Sequence, residues 1–136
     1  MDARGPKTLE TLDTPLARSL QSLRHNQPIA VALSGGPDSS ALAICTDRWC
    51  RQHDHMLYLF HVHHGLSDSA DAWQTQAQSL AERLGRSMIV RRVDVDLQSG
   101  FGLEAAARQA RYDAIHDMAA AHGVQTVVLG HHQQDQ

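Results

Sequence analysis

Seven consecutive residues, Ser34-Gly35-Gly36-Pro37-Asp38-Ser39-Ser40, carry the sharpest chemical signal in this 136-residue sequence. Two glycines allow backbone conformations that turn successive N–H groups inward, the geometry of an anion nest. Ser39 and Ser40 are expected to open a helix whose N-terminus adds partial positive charge, and Ser34, Ser39 and Ser40 bring hydroxyl donors. Such a segment is suited to hold a phosphate or pyrophosphate. It lacks the Gly-Lys-Ser/Thr ending of the Walker loop, so the γ-phosphate chemistry of kinases and GTPases is not indicated. Asp38 would repel an anionic ligand unless a divalent cation stood between them, which makes it a candidate Mg²⁺ contact. The plainer alternative is a Gly-rich strand-to-helix turn with Asp38 as a cap.

Histidine is enriched, ten residues in all, with His61, His63, His64, His131 and His132 in segments able to meet at one site. A zinc centre is disfavoured. Adjacent residues such as His63-His64 and His131-His132 point apart in extended chain, and no cysteine or paired carboxylate completes a ligand set. These imidazoles are better placed to line a crevice. Arg108 and Arg111, three apart, share one side of a helix; their alternative is a surface ion pair with Glu104 or Asp113.

The elements that must position these residues alternate. Leucines at 9, 12, 16, 20 and 23 mark a helix over 8–25, interrupted or restarted at Pro15. Ile29-Ala30-Val31-Ala32-Leu33 is apolar at consecutive positions, as in a strand buried on both faces. A helix from about Ser39 to Arg51 follows, with Leu42, Cys45 or Thr46, and Trp49 inward. Leu57 to Val62 is a second strand and Ser67 to Leu84 a second helix, with Trp73, Ala77, Leu80 and Leu84 on one face, Ser67, Asp68 or Ser69 as cap and Gly85 as stop. Met88 to Val93, less apolar, belongs near a sheet edge. Leu103 to His122 is a third helix, with Leu103, Ala107, Ala110, Ala114 and Met118 as its stripe, and Thr126 to Leu129 is a fourth strand.

This alternation predicts an α/β fold, a doubly wound parallel sheet with helices on both faces. Such sheets collect ligands at the carboxyl ends of their strands, where the Ser34, His63 and Gly130 segments would gather. Residues 1–27 read as an N-terminal helical segment and 28–136 as an incomplete domain truncated after its fourth strand, the N-terminal part of a longer protein.

Composition closes off several classes. At 42% hydrophobic and 20% charged residues the chain is globular rather than disordered. Twelve Lys and Arg against fifteen Asp and Glu give a net charge of −3, which offers no support for tight nucleic-acid binding by this chain alone. No apolar run approaches the ~20 residues of a membrane span, and the polar start is not a secretory signal. Cys45 and Cys50, five apart in one helix, point in different directions; reduced thiols in a cytoplasmic protein are expected.

Four segments together carry a resemblance. They are 31–39 (Val-Ala-Leu-Ser-Gly-Gly-Pro-Asp-Ser), 61–67 (His-Val-His-His-Gly-Leu-Ser), 104–112 (Glu-Ala-Ala-Ala-Arg-Gln-Ala-Arg-Tyr) and 130–136 (Gly-His-His-Gln-Gln-Asp-Gln). The first resembles the signature loop of the N-type ATP pyrophosphatases, the PP-loop superfamily, and the other three are similar to the bacterial tRNA(Ile)-lysidine synthetases within it. The resemblance implies an adenine nucleotide alpha-hydrolase-like, Rossmann-like fold. It also implies ATP and Mg²⁺ as cofactors, with Ser34, Gly35, Gly36, Pro37, Asp38, Ser39, Ser40 and His63 around the nucleotide. By the same resemblance, the wobble cytidine of a tRNA(Ile) with a CAU anticodon is adenylated through O2, pyrophosphate departs, and free L-lysine displaces AMP. Asp38, Arg108, Arg111 and Asp135 become the candidate catalytic residues, Asp135 for lysine or its amine. Relatives often show two acidic residues where this chain has Gln134 then Asp135. Competing readings are another PP-loop enzyme, a tRNA thiolase or an NAD synthetase-like amidating enzyme, and a nucleotide-binding module without catalysis.

Overall fold

A computed structural model of the chain describes residues 26–34, 36–63, 65, 69–94 and 102–129. The expected helix over 8–25 lies outside them, as do Gly35, His64, Ser67, Asp68, Gly130, His131, His132 and Asp135.

The described elements are β1 (Ile29–Ala32), α1 (Pro37–His53), β2 (Leu57–His63), α2 (Ala70–Leu84), β3 (Ser87–Arg92), α3 (Leu103–Ala121) and β4 (Thr126–Leu129). The four strands form one parallel sheet in the order β3-β2-β1-β4. In register, Ile29 lies between Leu57 and Thr126, and Ala32 between Phe60 and Leu129. All four residues of β1 are buried, which is why that strand is apolar at every position. β3 lies at an edge, as its weaker hydrophobicity predicts.

The pleat divides the core in two. Ile29, Val31, Leu33, Leu57 and Leu59 pack beneath α1 and α2, against Ala43, Trp49, Cys50, Ala77 and Leu80. Ala30, Ala32 and Phe60 face the opposite way, onto Ile115 and Met118 of α3. Helices therefore cover both faces, the doubly wound arrangement. β1 is the switch strand: the chain winds from it toward β2 and β3 on one side and returns to β4 on the other. A crevice at the carboxyl ends of β1 and β4 is the geometric consequence.

Several element boundaries differ from expectation by a few residues. α1 begins at Pro37 rather than Ser39, because proline at the first helical position loses an N–H that would have no intrahelical partner and fixes a helical φ. Its N-cap is Gly36, so Asp38 is a first-turn residue and not the cap. β2 runs one residue further, to His63, and α2 starts at Ala70 behind Ser69, which makes no side-chain cap hydrogen bond. α2 ends at Gly85, whose φ of 68° suits glycine and whose N–H donates to Ala81 O.

Candidate nucleotide-binding site

β1 delivers the chain to its carboxyl end at Leu33, whose N–H donates to Phe60 O at 2.7 Å, and the glycine-rich segment then turns into α1. Ser39 closes this turn from inside the helix. Its buried hydroxyl lies 3.0 Å from Ser34 N, 2.9 Å from Ser34 Oγ and 3.3 Å from Gly36 O. One assignment satisfies all three contacts. Ser34 N–H and Ser34 Oγ–H donate to Ser39 Oγ, and Ser39 Oγ–H donates to Gly36 O. Gly36 N–H then donates to Ser34 Oγ at 3.3 Å. The Ser39 hydroxyl is thus used in holding the loop's shape, and in this arrangement it has no proton left for a ligand.

Around that ring the loop stays open to solvent. Ser34, Pro37 and Asp38 are exposed, and Gly36 and Ser40 half-buried. The first α-helical bond runs from Ser40 N to Gly36 O, so the amides before it form the N-terminal end of a 17-residue helix, where anions are favoured. Mg²⁺ is usually held by one or two carboxylates together with substrate phosphates and water. A single exposed carboxylate, Asp38, in the first turn of the helix behind the glycine-rich loop fits that donor set. No cluster of three or more metal-ligating side chains exists among the described residues.

β2 supplies the neighbouring wall. Leu57, Leu59, His61 and His63 alternate onto the face covered by α1 and α2, opposite Val62 as expected. His61 Nδ1 lies 2.6 Å from Leu33 O, the carbonyl at the root of the loop. His63 Nε2 lies 2.7 Å from Asp71 Oδ1 in the first turn of α2. Two residues on, Trp73 departs from its expected place on the apolar stripe. It is 42% exposed, and its ring would meet a Cβ at Gly36 at 3.8 Å. The N-terminal part of α2 lies at the carboxyl edge of the sheet, where this indole comes up against the loop rather than the core.

Arg108 is exposed and Arg111 half-buried, both in the N-terminal half of α3. α3 leads from the carboxyl end of β3 back to the start of β4, so its N-terminal half belongs to the same edge of the sheet as the loop, on the other face. Asp113, an alternative partner for them, accepts from Gln109 Nε2 at 2.9 Å. The side chain of Glu104 lies outside the described residues, as does Asp135.

Sequence reasoning did not single out Asp71, although an acidic residue shortly after a histidine-ended strand was a readable signal. It also missed Asp47, buried in α1, which accepts from Arg86 Nε at 2.6 Å and Arg51 Nε at 3.1 Å. Neither cysteine is in a disulfide, and both are buried.

Residues 9–136 match the model of the PP-loop domain family. The chain is 43% identical over 135 residues to a tRNA(Ile)-lysidine synthase of Bordetella parapertussis, an alignment covering 92% of this chain and 36% of that protein. It is 42% identical over 121 residues to one of Burkholderia mallei, covering 89% of this chain and 24% of the relative. The chain thus spans about a third or less of these relatives' length. Among solved structures, a U34-tRNA thiolase of Methanococcus maripaludis with its [4Fe-4S] cluster superposes with a TM-score of 0.78 at 16% identity, over 95% of this chain and 47% of that one, a likeness of fold. With the family model matched over residues 9–136, nearly the whole sequence, the chain belongs to the PP-loop domain family.

Proposed function

We propose that the protein carrying this chain is an AMP-forming ligase that joins lysine to C2 of the wobble cytidine of tRNA(Ile), through an adenylated tRNA. The observation that carries the reading is the loop from Ser34 to Ser40, held by the Ser39 hydroxyl at the carboxyl end of the switch strand. It is supported by the family match and by the names of the relatives.

In the first step the cytidine O2 attacks the α-phosphorus of ATP, and the bond to the bridging oxygen breaks to release pyrophosphate. Negative charge grows on the departing group. The first turn of α1, ahead of the helical bond that begins at Ser40 N, would receive it, with the Ser34–Ser39 hydrogen bonds holding the turn in place before the ligand arrives. Asp38 would hold Mg²⁺, which supplies charge neutralisation on the phosphates when bound. Arg108 or Arg111 would bind phosphate oxygens through a planar guanidinium fork. In the second step the lysine ε-amine attacks C2, AMP departs with the oxygen, and the amine loses a proton. Asp135 is assigned to hold lysine or its amine. Cys45 and Cys50 are buried, which leaves the chain's thiols poorly placed for the alternative of sulfur transfer.

The test is lysidine formation on a tRNA(Ile) transcript with a CAU anticodon by the complete protein, with lysine, tRNA or ATP omitted in turn. Product that requires all three, with AMP and pyrophosphate in equal amounts, supports the reading. Turnover indifferent to lysine overturns it. The 136-residue chain by itself is expected to bind ATP weakly and to lack ligase activity. A cytoplasmic location is also part of this proposal.

A further inference from the structure

His63 is 4% exposed, and its Nδ1 is a buried ring nitrogen without a hydrogen-bond partner. The other nitrogen is committed, with Nε2 2.7 Å from Asp71 Oδ1. A carboxylate only accepts, so the proton of that bond belongs to Nε2, and the uncharged ring then carries a lone pair on Nδ1. A buried acceptor left without a donor is unfavourable, which favours any ligand able to supply one.

The position of the ring says which ligand. His61, two residues earlier on the same face of β2, bonds to Leu33 O at the root of the loop. Trp73, two residues after Asp71, reaches Gly36 within the loop. His63 therefore sits between two elements that both touch the phosphate-binding turn. Ionised phosphate oxygens accept hydrogen bonds and cannot satisfy a lone pair. Ribose hydroxyls and an exocyclic amine donate and can.

We propose that Asp71 is a positioning residue that locks His63 with its proton on Nε2, so that Nδ1 accepts a hydrogen bond from a hydroxyl or amine on the nucleoside half of the bound nucleotide. The proposal rests on the reading of the loop as the ATP site. It assigns His63 to the sugar or base and not to the α-phosphate.

Calorimetric titration of the complete protein with Mg-ATP and with Mg-tripolyphosphate tests it. Asp71 is exposed, so Asp71→Ala can be made without opening the core. It is expected to weaken ATP about tenfold while leaving tripolyphosphate unchanged. Asp71→Asn, whose amide oxygen still accepts from Nε2, is expected to restore most of the loss. Nitrogen-15 spectra of the His63 ring should show the proton on Nε2 in the parent protein and a mixture of tautomers in Asp71→Ala. Among 2′-deoxyATP, 3′-deoxyATP and purine riboside triphosphate, the analogue lacking the donor should bind the parent about tenfold more weakly than ATP, and no more weakly still in Asp71→Ala. An unchanged ATP affinity in Asp71→Ala overturns the proposal. So does an equal loss for ATP and tripolyphosphate, or the absence of a weakened analogue. Failure of the parent protein to bind tripolyphosphate and ATP at all would overturn the reading of the loop itself, a result distinct from these.

Discussion

Ser39 and Asp38 are neighbours in sequence with opposite duties. The Ser39 hydroxyl is buried and joined to Ser34 and Gly36, so its contribution is the shape of the turn. Ser39→Ala would remove the acceptor of the Ser34 amide and hydroxyl, at a cost of about 0.5–1.5 kcal/mol per hydrogen bond. Thermal unfolding should therefore show a lower midpoint, with nucleotide affinity falling because the cradle loosens. Asp38 is exposed in the first turn of a helix capped by Gly36. Asp38→Asn should alter stability by no more than about 1 kcal/mol, the scale of a first-turn charge on the helix dipole. If this carboxylate holds Mg²⁺ as proposed, the variant should nevertheless lose ATP–pyrophosphate exchange, most severely at low Mg²⁺. Undiminished exchange across a Mg²⁺ titration would remove Asp38 from the metal site.

At the scale of elements, α2 is tied at both ends by polar contacts that its apolar stripe does not announce. Asp71 reaches His63 at its start, and past its end Arg86 donates to Asp47 of α1 at 2.6 Å. Asp47 and Arg86 expose only 10% and 13% of their side chains, so removing one partner leaves the other's charge poorly solvated. Asp47→Ala should cost about 2–4 kcal/mol in urea unfolding, whereas a double replacement of both residues by apolar ones should cost less. The strands were legible because their signal is local: consecutive burial gives β1, and β4 spans the expected Thr126–Leu129. The loop was legible because glycine, proline and serine there have few other uses between a strand and a helix. Trp73 was misassigned because helical periodicity gives a face but not what each position on that face meets, and at Trp73 the neighbour is Gly36 of the loop. The Asp47–Arg86 pair was not legible because it is fixed by how the helices dock on the sheet, 39 residues apart in sequence.

For the whole molecule, the sheet separates two cores, and the one beneath α1 and α2 also stands behind the glycine-rich loop. Cys50 lies in that core with no exposed surface. Burial pushes its thiol from an ordinary 9.0 up to about 11, with Arg86 opposing the rise and Asp47 adding to it. In the folded chain the thiol therefore keeps its proton at a pH where the unfolded chain has lost it. The unfolded state then binds fewer protons, so stability must fall as pH rises. This contribution is fully present below about 9 and declines through about 11, by about 2–3 kcal/mol in total. Urea unfolding at pH 8 and at pH 10.5 should show that decline. Cys50→Ala should be less stable at pH 8, from the cavity it leaves, but should fall less steeply between the two pH values. Tyrosine and lysine titrations affect both proteins alike, so the difference in slope isolates the thiol. Equal slopes would mean that Cys50 ionises as readily folded as unfolded, and that the core beneath α1 admits water.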